Sequence, residues 1–159
     1  MKAWSRRSTM MALEQQTLTR LPIKQKQTQF KFLPRIMIID DDPDILEELK
    51  DFLCFNYDVR TLFNSANAFD IARELSPDLI IMDMNMFPKT GFQLAKEFRD
   101  SLETKSIPII AITGFYIEKE HTLMMKLSGM KRIVLKPFIF GNLLEEIEAA
   151  IKEPKPPSA

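Results

Sequence analysis

The stretch Pro77–Gly91, P-D-L-I-I-M-D-M-N-M-F-P-K-T-G, decides the fold. Its apolar run Leu79–Met82 ends on one carboxylate, Asp83, and a loop with Pro88 and Gly91 leads into a helical pattern. A short apolar run between turn signals suits a strand buried on both faces. In open α/β sheets, reactive groups gather in the crevice outside the carboxyl ends of the strands, which is where Asp83 falls. A lone strand-terminal Asp is as readily a cap for the next turn, so three further strand ends carry the reading. Arg35–Ile39 runs into Asp40-Asp41-Asp42, Ile107–Ile112 into Thr113-Gly114, and Ile133–Leu135 into Lys136-Pro137.

Between these runs lie helical patterns. Asp42-Pro43 opens the first, an Asp cap before Pro at the first helical position, with Ile45, Leu46, Leu49, Phe52 and Leu53 on one face. Val59–Phe63 reads as a second strand, and Ser65 as the cap of a helix that buries Ala68, Ile71, Ala72 and Leu75. A third helix starts near Gly91 and buries Phe92, Leu94, Ala95 and Phe98. A fourth spans Ile117–Leu127, with Leu123, Met124 and Leu127 mostly core, and ends near Gly129. The fifth buries Leu143, Leu144, Ile147 and Ile151 before Pro154, Pro156 and Pro157 stop it. Five strands alternating with five helices predict an α/β fold, a doubly wound parallel sheet wrapped on both faces. All strand ends then face one edge, and residues far apart in sequence converge there.

Composition narrows the function. At 159 residues, 45% hydrophobic and 28% charged, the chain suits one soluble domain with appendages. No apolar stretch approaches the roughly 20 residues of a membrane span. Cys54 is the only cysteine and His121 the only histidine, which excludes an intrachain disulfide and disfavours zinc. Cys54 reads as packing, and His121, on helix four away from the strand ends, as solvated. Residues 1–33 hold seven Lys/Arg and one Glu, so the remainder is net acidic and ill suited to nucleic acid. This basic segment, rich in Gln, Thr and Ser, reads as a mostly disordered extension. A transit peptide, a start downstream at Met10 or Met11, and an arm for membrane or nucleic acid are the alternatives. The expected organisation is thus an extension over 1–33, a folded domain over 34–152 and a Pro-rich tail over 153–159.

Asp40, Asp41 and Asp83 crowd three carboxylates at one edge, which is costly unless a cation joins them. Oxygen-only ligation suits magnesium, which binds few carboxylates, keeps waters and meets phosphate oxygens. Lys136 adds positive charge, and Thr113 a hydroxyl, at the same edge. These parts fit phosphoryl transfer, in which positioning and charge neutralisation dominate, with Asp83 as the acceptor that becomes an acyl phosphate. Each residue alone is more readily structural; all of them at successive strand ends would rarely be accidental.

Residues 35–151 resemble the receiver domain of two-component response regulators. R-I-M-I-I-D-D-D-P-D-I-L, P-D-L-I-I-M-D-M-N-M, P-I-I-A-I-T-G and V-L-K-P-F carry the resemblance in combination and order. It implies a flavodoxin-like receiver fold with strand order 2-1-3-4-5. It implies Asp83 as phosphoacceptor, and Asp41, Asp83 and the backbone carbonyl of Asn85 as Mg2+ ligands, with Asp40 as a supporting acid acting on the metal through water. Thr113 becomes the switch hydroxyl, and Lys136, before a cis Pro137, the phosphate-pairing lysine. The phosphoryl donor is then a histidine kinase or histidine phosphotransfer protein, and the compartment cytoplasmic. Such a protein is a switch that at most phosphorylates and dephosphorylates itself, not an enzyme with a turned-over substrate.

Three positions depart from the family. Phe87 stands where Pro is usual, with Pro88 next; Ile133 replaces the usual aromatic switch residue; and Phe115, with Asn85, is expected to restrict water at the acyl phosphate. Only Lys152–Ala159 follow the fifth helix, too few for a DNA-binding module, so a stand-alone receiver acting on a protein effector is expected. The helix 4–strand 5–helix 5 face, with Met125, Met130, Lys131 and Arg132, is the expected docking surface. Two other readings compete. One is a phosphorylation-independent, receiver-like scaffold. The other is an aspartyl phosphatase, which Asn85 opposes because it stands where a second Asp would act as general acid.

Overall fold

Alternate residues of each predicted strand must face opposite sides of the sheet, and both sides must be apolar if helices cover both. A computed structural model describes residues 32–114, 119–130 and 132–153, with the side chains of 119–121 excepted. The strands are β1 (Arg35–Ile39), β2 (Asp58–Leu62), β3 (Leu79–Asp83), β4 (Ile109–Thr113) and β5 (Arg132–Leu135). The helices are α1 (Pro43–Leu53), α2 (Ala68–Leu75), α3 (Gly91–Asp100), α4 (Lys119–Leu127) and α5 (Phe140–Lys152). All neighbouring strands pair in parallel, in the order 2-1-3-4-5.

Met37, Ile39, Ile80, Met82 and Ala111 point to one side, where Leu94, Ala95 and Phe98 of α3 and Ala68 and Ala72 of α2 cover them. Ile36, Ile38, Leu79, Ile81 and Ile112 point to the other, against Leu46, Leu49 and Leu53 of α1 and Leu143 and Ile147 of α5. Every residue of β3 and β4 is buried. At about 1.5–3 kcal/mol for each fully buried aliphatic side chain, these two central strands hold the sheet together.

Local signals set the helix starts. The Asp42 side chain accepts from the Asp44 N–H (3.0 Å) ahead of Pro43, a cap worth about 1 kcal/mol. Thr90 and Gln93 form a reciprocal capping box at α3. Gly129, at φ +83°, ends α4.

Five expectations need correction, the first being that Cys54 packs: it is exposed. Ser65 does not cap α2: Ser65–Asn67 form a 3-10 turn capped by the Asn64 side chain, and the buried Ser65 hydroxyl accepts the Lys89 N–H (2.9 Å). Phe52 stays on the rim of the core, 36% exposed and packed on the Phe140 ring. On α4, Leu123, Met124 and Leu127 are exposed, not core, and Met125 is the buried residue. Met125 and Met130 are therefore unavailable to a partner, whereas Arg132 lies at the surface, paired with Glu146 and Glu153. The expectations for residues 1–31, Phe115, Lys131, residues 154–159 and the His121 side chain lie outside the described residues.

Candidate functional site

A parallel sheet delivers the ends of β1, β3, β4 and β5 to one edge, and the register aligns them. Ile39 pairs with Met82, Asp83 with Ile112, and Thr113 with Leu135. Asp40, Asp83, Thr113 and Lys136 thus sit at neighbouring strand ends, as the sequence predicts. The chain leaves β3 with the Met84 N–H on the Ile112 carbonyl (3.1 Å), and leaves β5 with the Lys136 N–H on the Thr113 carbonyl (2.8 Å). These bonds carry the sheet one residue past its last formal pair and fix both backbones at the site.

The Lys136 ammonium bridges two carboxylates, at 2.7 Å from Asp40 Oδ2 and 3.0 Å from Asp83 Oδ1. The other oxygen of each is also held. Asp40 Oδ1 accepts the Asp42 N–H (2.9 Å), and Asp83 Oδ2 accepts the Asn85 N–H (2.6 Å). Asp40 is 2% exposed and Asp83 7%. Asp41 differs: its side chain is exposed, and its Oδ2 accepts the Phe87 N–H at 3.3 Å. A cleft of about 340 Å³ opens between these groups, lined by the acidic run 40–42, Asp83, Asn85, Gly114 and Lys136. Thr113, the last residue of β4, is buried, 2% exposed. Lys136-Pro137 is cis, as the resemblance implies, and Phe87-Pro88 is cis as well.

Burial pushes the Asp40 carboxyl above the ordinary carboxylate range; its bonds to Lys136 and the Asp42 N–H offset this only in part, and the Asp83 charge adds to it. Burial pulls the Lys136 ammonium down, but its bonds to Asp40 and Asp83 outweigh that and hold it above its usual value. The ammonium is therefore charged at neutral pH and balances part of the acidic charge. A carboxyl whose pKa is raised on folding favours the folded state when protonated, and that contribution is lost as pH rises through the folded value. Asp40→Asn is accordingly expected to raise Tm at pH 7, the gain shrinking as pH falls toward 4. Thermal melts across that range check it, and a lower Tm for the variant at pH 7 would refute it.

Among the described residues, no three acidic, histidine or cysteine side chains are gathered closely enough to enclose a metal ion. The carboxylates that line the cleft fit magnesium, which takes one or two of them and keeps waters. Asp41 is the carboxylate with room for a direct bond, since Oδ1 has no donor among the described residues. Asp40, the least exposed of the three carboxylates, suits an indirect role. Asp42 serves as the cap of α1, as the sequence predicts.

Residues 36–148 match the family model described as the response regulator receiver domain. The chain is 28% identical over 115 residues to the polar-differentiation response regulator DivK of Brucella anthropi, a match covering 72% of this chain and 93% of that protein. Among solved structures, the chemotaxis response regulator CheY4 of Vibrio cholerae superposes with a TM-score of 0.69 at 27% identity, covering 74% of this chain and 98% of the other. The non-phosphorylated HemR receiver domain of Leptospira biflexa gives 0.69 at 26% identity, covering 78% and 98%.

Proposed function

This chain belongs to the response regulator receiver family, and we propose from its site that it is a phosphorylation-controlled protein-binding switch in a two-component phosphorelay. The observation that carries the reading is the Lys136 ammonium clamped between Asp40 and Asp83 beside an open cleft that also holds Asp41. In the proposed step, an Asp83 carboxylate oxygen attacks the phosphorus of a phosphohistidine on a histidine kinase or phosphotransfer protein. The O–P bond forms, the N–P bond breaks, and the imidazole leaves. Asp41, Asp83 and the Asn85 carbonyl would hold Mg2+, whose charge, when bound, neutralises the phosphoryl oxygens. Lys136, now beside Asp83 Oδ1, is placed to pair with the incoming phosphoryl group. Thr113, fixed at the end of β4, supplies the hydroxyl that responds to it.

The output is a change in protein binding, with no turned-over substrate beyond the chain's own phosphorylation and dephosphorylation. The exposed Leu123, Met124 and Leu127 of α4 and Leu135 of β5 are apolar residues that these elements offer an effector, in place of the buried Met125 and Met130. No helix among the described residues is long and apolar enough to cross a membrane, which is compatible with the cytoplasmic site of action we assign.

Acetyl phosphate with Mg2+ is expected to add one phosphoryl group to the intact protein, read by mass spectrometry. Excess chelator should remove the adduct. An adduct of equal yield with chelator, or failure of both acetyl phosphate and beryllofluoride to occupy the cleft, would overturn the reading.

A further inference from the structure

The loop between β3 and α3 is pinned by alternate backbone amides. The N–H of Asn85 goes to Asp83 Oδ2, that of Phe87 to Asp41 Oδ2, that of Lys89 to Ser65 Oγ and that of Gly91 to the Met84 carbonyl. Three of these four bonds have an evident structural purpose. They turn the chain after β3, tie the loop to the segment after β2, and seat the start of α3. The Phe87 bond is different, because it lands on the one exposed carboxylate that we assign to the cation. It is also the only hydrogen bond to the Asp41 side chain among the described residues. The Phe87 ring is 82% exposed and packs little, so what residue 87 gives the site is its N–H. A proline there would have none.

We propose that the Phe87 backbone N–H is a positioning donor that orients the Asp41 carboxylate for a divalent cation, coupling the β3–α3 loop to the metal site. This rests on the reading that the cleft takes Mg2+. A carboxylate has about four lone-pair sites, so one N–H leaves ample capacity for a metal. An exposed Asp otherwise rotates freely, and holding it beforehand lowers the ordering cost of ligation. Linkage then works in both directions: if the closed loop strengthens metal binding, bound metal must strengthen the closed loop by the same factor.

The test measures Mn2+ binding to the full chain from the electron paramagnetic resonance signal of the free ion. Phe87→Pro removes the N–H and is expected to weaken binding roughly tenfold. Phe87→Ala restores an N–H while deleting the ring, and should bring the affinity back to within about twofold of wild type on the same argument. Independently of any variant, saturating Mg2+ should slow hydrogen exchange at the Phe87 amide of the wild-type chain. If Phe87→Pro misfolds, that exchange measurement decides alone. Wild-type affinity in Phe87→Pro, failure of Ala to rescue, or unchanged exchange at Phe87 would each overturn the coupling while leaving the metal site standing. Absence of Mn2+ binding by the wild-type chain would overturn both the coupling and the proposed function.

Discussion

Asp83→Asn is expected to take up no phosphoryl group above background from acetyl phosphate and Mg2+, under conditions that label the wild-type chain. The substitution is close to isosteric, so the site should keep its shape. The asparagine carbonyl oxygen can still accept the Asn85 N–H that Asp83 Oδ2 now accepts at 2.6 Å. The chemistry is lost on two counts. A neutral amide oxygen is a far weaker nucleophile than a carboxylate, and no stable acyl phosphate forms from it. The amide also removes one of the two anions that hold the Lys136 ammonium, leaving that cation to Asp40 alone. Intact-protein mass spectrometry checks the result, and peptide mapping of the labelled wild-type chain should place the adduct on Asp83. Labelling of the variant at the wild-type level would move the acceptor elsewhere, and with it the assignment of Asp41 and Lys136 to the same reaction.

The parts of this site legible in the sequence are those that a parallel sheet makes legible. Strands buried on both faces read as unbroken apolar runs, so Leu79–Asp83 and Arg35–Ile39 were recognisable without helical or alternating patterns to confuse them. Once the strands are parallel, the residue after each run must fall at one edge, and Asp40, Asp83, Thr113 and Lys136 follow. What stayed hidden depends on geometry that periodicity does not encode. Leu123, Met124, Met125 and Leu127 are distributed around α4, so pattern alone could not say that Met125 faces inward and the rest outward. Asn64 and Ser65 are both good caps one residue apart, and only the packing of the Lys89 amide shows that the serine hydroxyl is buried for another purpose. The Asp41–Phe87 bond joins residues 46 apart, a contact that no local pattern encodes. The reason for Gly91 was equally hidden. The sequence suggested a turn residue, whereas the structure shows a steric requirement.

Gly91→Ala is expected to destabilise the protein by about 2 kcal/mol, although alanine is the better helix former by nearly 1 kcal/mol. Gly91 is the first residue of α3, and its N–H bonds the Met84 carbonyl at 3.1 Å, which draws the helix start against the end of β3. A methyl group there would lie 2.7 Å from Met84 Sδ, 2.8 Å from the Asp83 carbonyl oxygen and 2.9 Å from Met84 Cα. The methionine sulfur sits on a flexible side chain and can move aside. The other two atoms are backbone, and moving them displaces the residue that carries the acceptor carboxylate. Loss of stability and a disturbed Asp83 should therefore appear together, as a lower denaturation midpoint and slower phosphoryl uptake. Gly141 is the internal control. It lies in the first turn of α5, exposed, with nothing within 4 Å of where a Cβ would sit. There the same substitution only removes unfolded-chain entropy, and should stabilise by about 0.5–1 kcal/mol. Chemical denaturation of the two variants decides the matter: equal effects of the same sign would mean that α3 can retreat from β3, and that close packing at Gly91 does not set the position of Asp83.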